Sequence, residues 1–456
     1  MARRTLMIWF TCLVVLLLLV TGCSSNSNDS SNNQPGNSSS ADGNGQSGSN
    51  DVADPPLELN EREFDMGGRT IKVVSWWNME IPEDNPDNIK RKENLEALMK
   101  KHNFNVEYIA IDFGEYKDKV VASIMSGEPI GDIVRMGRKY MIPALSKLDM
   151  FWPMDEYTRN ERVFNQLVKN DFSQYEGKAY GFSEGGNMAT GIYYNRTLMR
   201  TLGIKELQDY VHEDNWNWDT FIDVAKMANR DTNNDGKLDN WGLAAGGFLD
   251  QAMAANETDL FKDDKQNLED PKTIQAFNFI ARIATENVAR ASEGGDWTEP
   301  AQFFRQGNTL MYAGADYEAG GIKNDMPDYD IGFLPFPKGP SASVYHATEP
   351  DVQFLTIPKS VKNPDQLLYI WEKIFDIDSI YDYKGQAGYE SRFSTEDDIS
   401  NARVAADNMG IVANNTFPSL PYWELRGELM NGISVSTVIE TYKAAVQSAI
   451  DEVYHN

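Results

Sequence analysis

Thr70-Ile-Lys-Val-Val-Ser-Trp-Trp77, Asn105-Val-Glu-Tyr-Ile-Ala-Ile111 and Gly131-Asp-Ile-Val-Arg-Met136 are three short runs rich in β-branched residues. Between the first two, Leu95, Leu98 and Met99 keep helical spacing behind Asn85-Pro86, which reads as a turn or a helix start, and between the last two Tyr116, Val120 and Ile124 do the same. Strand, helix, strand, helix, strand is the pattern of a parallel α/β unit with right-handed crossovers. Open parallel sheets hold ligands at the carboxyl ends of their strands. Trp76 and Trp77 fall at such an end, and on a strand their rings point to opposite faces, so at most one reaches a ligand while the other packs inside. Either assignment fits.

Working outward, further strands are predicted at Gly191-Ile-Tyr-Tyr194, Thr309-Leu-Met-Tyr-Ala313 and Asp330-Ile-Gly-Phe-Leu334, separated by helical stretches. Asn363-Pro364 reads as an N-cap with proline at the first helical position, ahead of a stripe that makes Trp371 a core residue. Thr437-x-x-Glu440 reads as a capping box that opens the last helix. There is no internal repeat.

The N-terminal end has a different character. Arg3-Arg4, an apolar run from Leu6 to Val20 and then Thr21-Gly22-Cys23 resemble a lipoprotein-type signal over 1–23, which implies that Cys23 carries the lipid and becomes the new N-terminus; the competing reading is an uncleaved transmembrane anchor, for which the apolar run is short. Residues 24–60 begin with Ser, Asn, Gly, Asp and Gln, too polar to offset the entropy of ordering. Such a tether reaches roughly 30 Å as a random coil. Cys12 and Cys23 are the only cysteines, and the first lies in the cleaved segment, so the mature chain has no disulfide. About 400 residues remain, too many for one core, which predicts two lobes. The net charge of −27 excludes nucleic acid as a partner, because a phosphate backbone needs a basic face.

Five segments in order resemble one family. They are Gly177-Lys-Ala-Tyr-Gly-Phe182, Tyr193-Tyr-Asn-Arg196, Trp218-Asp219-x-Phe221, Phe304-x-x-Gly307-x-x-x-Met311 and Asp330-x-Gly332-x-x-Pro335-Phe-Pro337-x-Gly339. Together they resemble the extracellular solute-binding proteins of family 1, the carbohydrate-binding components of ABC importers. The resemblance implies a two-lobed α/β fold of the class II periplasmic-binding-protein type. It places one lobe at 65–182 plus 338–376 and the other at 183–337 plus 377–456, with a hinge where the chain crosses between them. The implied function is capture of an oligosaccharide in the inter-lobe cleft and delivery to ABC permease subunits, by a monomer lipid-anchored on the outer face of the membrane.

A sugar cleft needs carboxylates, amides and arginine beside exposed rings. By the same resemblance Glu184, Asn187, Arg138, Asp316 and Tyr317 stand where the family places ligand contacts, with Trp423 in Pro421-Tyr-Trp-Glu424 as a further stacking ring beside Trp76 and Trp77. Trp152, Trp241 and Trp297 read as structural. After the third strand the maltose-binding branch carries a tryptophan, whereas this chain has Met136.

Asp231-Thr-Asn233-Asn-Asp235-Gly236-Lys237-Leu-Asp239 follows the front of an EF-hand loop, with oxygen ligands at positions 1, 3, 5 and 9, the Lys237 carbonyl at 7 and glycine at the sharp turn. Position 12 is Gly242 and supplies no carboxylate. The expectation is a structural Ca²⁺ and no catalytic cofactor. The competing readings are a surface glycoside hydrolase and a sugar sensor or adhesin without transport. Against an enzyme stand the missing nucleophile elbow, HExxH and phosphate loop.

Overall fold

The computed structural model describes residues 61–155, 172–183 and 189–455, except 245, 247, 292, 294, 295, 297, 350, 378–381 and 384. β1 (Arg69–Ser75), α1 (Pro86–His102), β2 (Phe104–Ala110), α2 (Phe113–Met125) and β3 (Ile133–Gly137) alternate along the chain, as their hydrophobic pattern predicts. β1 pairs in parallel with both neighbours, Arg69 opposite Phe104 and Val73 opposite Ile133. Both faces of this sheet are covered, most fully at β1 and β3, where adjacent residues such as Val73 and Val74 or Ile133 and Val134 are all buried, while the outer strand β2 alternates. Ile71, Val73 and Ile133 pack with Leu95 and Leu98 of α1, whereas Val74 and Val134 pack with Tyr116, Val120 and Ile124 of α2. α1 starts as its sequence indicates, with the Asn85 side chain accepting the Asn88 N–H at 2.9 Å and Pro86 at the first position.

The second sheet contains β4 (Thr190–Asn195), β5 (Trp241–Ala244), β6 (Ala289–Arg290), β7 (Thr309–Ala315) and β8 (Ile331–Pro335), in the order β6-β5-β7-β4-β8. β6, β5 and β7 run parallel, and β4 is antiparallel to both β7 and β8. Helices α3 (Trp218–Ala228) and α4 (Phe248–Ala255) pack into its core. β5 was not anticipated. A Cβ on Gly242 would sit 2.1 Å from the Ala225 carbonyl oxygen of α3, so the strand must carry glycine there and loses its β-branched signature.

β9 (Gln353–Thr356) returns to the first sheet as an antiparallel edge beside β3. α5 (Pro364–Phe375) then joins α1 on that sheet, burying Trp371 as expected, and α6 (Tyr422–Met430) and α7 (Val435–Tyr454) complete the core of the second. The chain thus passes between the sheets three times, after β3, after β8 and after α5. Near the first passage, Phe182 and Leu355 of β9 exchange two backbone hydrogen bonds of 2.9 Å.

Two helix starts differ from expectation. Asn363 sits in the left-handed region at φ 57° and makes no side-chain cap, so Pro364 alone sets the start of α5. α7 begins at Val435 because Ser434, just after the left-handed Gly432, takes the Thr437 N–H at 3.3 Å; Thr437 lies in the first turn instead of capping it. Among the described residues no helix is long and apolar enough to cross a membrane. Cys23 and its tether lie outside them.

Candidate functional site

The carboxyl ends of β1 and β3 open onto a cavity of about 290 Å³. Asp112 caps α2 by accepting the Gly114 N–H at 2.9 Å, and this projects Phe113, 70% exposed, over the cavity mouth. Trp76, one residue past β1, stands edge-on to Phe113 at 5.8 Å and to Tyr116 at 5.3 Å. Tyr116 is fixed from below, its hydroxyl donating to the carbonyls of Val74 at 3.0 Å and Arg135 at 2.5 Å. On the far side, Gly137 ends β3 and Tyr140 lines the cavity with Lys139. Asp351 and Gln353, at the start of β9, close it. Burial pushes the Asp351 carboxyl up, against a hydrogen bond from the Gln353 amide.

Trp76 and Trp77 do not split across a strand, because β1 ends at Ser75; the two rings meet edge to face at 4.7 Å. Trp76 lines the cavity and Trp77 lies outside it, covering the Arg135 guanidinium at 4.8 Å. Arg138 is next to the cavity, but its Nε and Nη1 donors are taken up by the protein. Its Nε donates to the Phe172 carbonyl at 3.0 Å, and its Nη1 to the Asn415 carbonyl at 3.2 Å and the Thr416 hydroxyl at 2.9 Å. Burial lowers its guanidinium to about 10. Arg138 therefore ties the end of β3 to the 412–416 turn, and Asn415 strengthens that tie by accepting the Val352 N–H at 3.1 Å.

Asp316, at the end of β7, is fully buried and ion-paired with Arg392 at 2.9 Å. Tyr317 beside it is exposed, in the field of Glu318, Asp316, Glu349 and Asp351, which brings the end of β7 toward the β9 side of the cavity. Trp423 is the most exposed tryptophan among the described residues, at 62%, its ring edge-on against Tyr422 at 5.1 Å. Tyr422 is buried, and it and Asn414 hydrogen-bond the buried Asp250 of α4. Burial raises Asp250 to about 7, and Arg426 and Lys139 are the cations that face it. Lys139 thus links the first sheet's cavity to the acid beneath Trp423.

Glu184, Asn187 and Trp297 lie outside the described residues. Trp152 is structural, donating its indole N–H to the Val361 carbonyl at 2.9 Å, and Trp241 begins β5. Sequence reasoning did not single out Phe113, Tyr140, Lys139, Asp250 or Asp351. Phe113 directly follows a helix cap, and Lys139 and Tyr140 lie in the short helical turn Arg138–Tyr140 that follows β3; that placement was the available signal.

The loop 231–239 lies between α3 and β5, closed by the paired backbones of Arg230 and Asn240. Asp231 accepts the Gly236 N–H at 2.8 Å, Asn233 the Asp235 N–H at 2.8 Å and Asp239 the Thr232 N–H at 2.7 Å. Asn234 and Gly236 supply the left-handed turns at φ 60° and 85°. Hydrogen bonds from the Thr232 hydroxyl and backbone hold the Asp239 carboxyl below the usual range. Among the described residues no three His, Cys, Asp or Glu side chains are gathered to hold a metal, the carboxylates here being turned to backbone N–H groups.

No curated protein matches this sequence. Solved structures are similar at the level of the fold. The sugar-binding protein MalE from Xanthomonas citri superposes with a TM-score of 0.64 at 13% identity, covering 84% of this chain and 98% of its own. The galacto-N-biose-/lacto-N-biose I-binding protein of the ABC transporter from Bifidobacterium longum, in complex with lacto-N-biose, gives 0.63 at 15%, covering 85% and 98%. An ABC transporter solute-binding protein from Thermotoga lettingae, bound with α-D-tagatose, gives 0.60 at 16%, covering 84% and 100%. These likenesses establish the two-lobed α/β architecture. The family model of the bacterial extracellular solute-binding protein matches residues 85–372, from the start of α1 into α5, and the chain belongs to that family.

Proposed function

We propose that this protein captures a carbohydrate, an oligosaccharide, between two lobes at 65–182 plus 338–376 and 183–337 plus 377–456, and hands it unaltered to the permease subunits of an ABC importer. The observation that carries this reading is the cavity at the ends of β1 and β3, where the rings of Trp76, Phe113 and Tyr140 stand beside lysine, carboxyl and amide groups. Apolar C–H faces of a sugar stack on such rings while its hydroxyls meet the polar groups. Tyr317 and Trp423 are the rings the other lobe contributes on closure. Glu184, Asn187, Arg138 and Asp316 belong to the same proposed surface, the last two as supports.

Calorimetry across glycan classes is the test, followed by Trp76→Ala against the best ligand. Loss of one stacking ring is expected to cost about 1–3 kcal/mol, roughly 5- to 150-fold in affinity. Unchanged affinity in a folded variant puts the site elsewhere, and cleavage of the bound sugar makes the protein a glycoside hydrolase. A lipid on Cys23 is proposed to hold the protein at the outer face of the membrane. Cys23→Ser should then release it or leave an unprocessed precursor; a variant that still partitions into detergent at the normal mature mass argues against the anchor.

The loop 231–239 is proposed to take Ca²⁺ through Asp231, Asn233, Asp235, the Lys237 carbonyl and Asp239, in a structural role. A ligand specific to the folded state raises the melting temperature by mass action. Calcium should therefore raise that of the wild type and leave Asp231→Ala/Asp235→Ala unmoved. Identical chelator responses in the two proteins would rule the site out.

A further inference from the structure

Two lysines converge on one ring of the cavity. The ammonium of Lys117 lies 5.0 Å from the centre of the Tyr140 ring and that of Lys139 lies 5.3 Å from it. Lys117 already shares its charge with Asp118 at 3.3 Å, where both side chains are solvated. Lys139 differs, because among the described residues no carboxylate comes within ion-pair distance of it. The two acids that face Lys139 are Asp351 on the first sheet's side and Asp250 on the second's. Burial makes both reluctant to ionise, Asp351 being raised and Asp250 held near 7. The Lys139 cation thus has neighbouring acids but none at ion-pair distance among the described residues, and such a charge favours a partner that brings its own countercharge into contact.

We propose that the ligand is an acidic sugar, with a uronic-acid carboxylate seated at Lys139 beside Tyr140 and its ring stacked toward Trp76 and Phe113. This rests on the carbohydrate reading above and names the chemical class within it. A carboxylate at this point accepts a charge-assisted hydrogen bond from the Lys139 ammonium, which a hydroxyl in its place does more weakly. The acidic surface of the protein works against long-range attraction of an anion, since the net charge is −27. Discrimination therefore comes from the short-range contact at Lys139. The cavity volume of about 290 Å³ limits this subsite to a short stretch of glycan.

Calorimetry with full-length protein tests the proposal, using digalacturonate and the neutral digalactose as a matched pair that differ in the carboxylates. Wild type is expected to bind digalacturonate at least about tenfold more tightly, the size of one charge-assisted hydrogen bond. Lys139→Met should reduce the acid-to-neutral affinity ratio about tenfold, Lys117→Met should reduce it less, and Trp76→Ala should weaken both sugars together. Raising the salt should weaken the acidic sugar alone. Equal or tighter binding of digalactose, or an unchanged ratio in folded Lys139→Met, overturns the assignment. If neutral glycans bind in a Trp76-dependent manner and no acidic one does, this inference fails while the carbohydrate reading stands; if no glycan of either kind binds, the carbohydrate reading itself fails.

Discussion

Asp398→Ala is expected to remove about 3–5 kcal/mol from the stability of the folded protein, the usual cost of removing one partner of a buried ion pair, because the carboxylates that remain near Arg196, Asp330 at 3.4 Å and Glu206 at 4.0 Å, are partly exposed. Arg196 follows β4 and places its guanidinium against Asp398 in two parallel contacts, Nη2 to Oδ1 at 2.8 Å and Nη1 to Oδ2 at 3.1 Å. The side chains are 8% and 1% exposed, so water cannot replace the lost carboxylate. The same carboxylate accepts the Phe333 N–H of β8 at 2.8 Å and the Thr395 hydroxyl at 2.7 Å, so its loss also strands a buried backbone donor. Asp398 thereby fastens the edge strand β8 and the helix Glu396–Asp407 to β4. Urea denaturation of the purified variant should show the loss, and Asp398→Asn, which keeps an acceptor, should fall between the two. A loss below about 1 kcal/mol for the alanine variant would show that the pair adds little.

The parts of the fold legible in the sequence are those where one local pattern decides the outcome. β1 and β3 have β-branched runs with buried residues on both faces, β2 alternates with Phe104 its one buried residue, and α1 has a side-chain cap with proline at its first position. β5 was hidden because α3 presses on Gly242, and β9 because four residues are too few to show a period. Likewise the end of β1 was legible as a place for a cavity from the strand pattern, although which of Trp76 and Trp77 lines it was not. Phe113, Lys139 and Tyr140 sit at equivalent ends, but placing them requires each strand or helix to end at a known residue. Arg138 and Asp316 show the opposite limit. Their positions near the strand ends were readable, yet what their charges do is decided by Phe172, Asn415, Thr416 and Arg392, distant in the chain and brought up only by packing. Asp250 had no local signature at all, since its environment is made by Tyr422, Asn414 and Arg426.

That environment makes stability depend on pH in a definite direction. Burial lifts Asp250 to about 7 and Asp259 to about 8, with Asp250 adding to the rise of Asp259. Around Asp250 stand Tyr422, Asn414, Arg426 and Lys139; Asp259 is held by the backbone N–H groups of Leu260 and Ala413. In the unfolded chain both acids ionise near 4. Below that value both states are protonated and neither acid influences folding. As pH rises toward 7 to 8 the unfolded chain gives up its protons first, the folded chain binds more protons than the unfolded one, and stability therefore falls. Above 8 both states are ionised and the loss is complete and constant. Lifting Asp250 from 3.8 to about 7 corresponds to on the order of 4 kcal/mol between its two forms, an upper bound on what a neutral isostere recovers. Asp250→Asn should therefore match wild type near pH 4 and exceed it increasingly up to pH 7, then by a constant margin, in denaturation series run from pH 5 to 9. The 412–416 turn that meets both acids is the one Arg138 grips from β3, so the variant should also hold that inter-sheet tie more firmly in alkaline buffer. A wild type and a variant with parallel stability curves across this range would show that Asp250 is ionised in the folded protein.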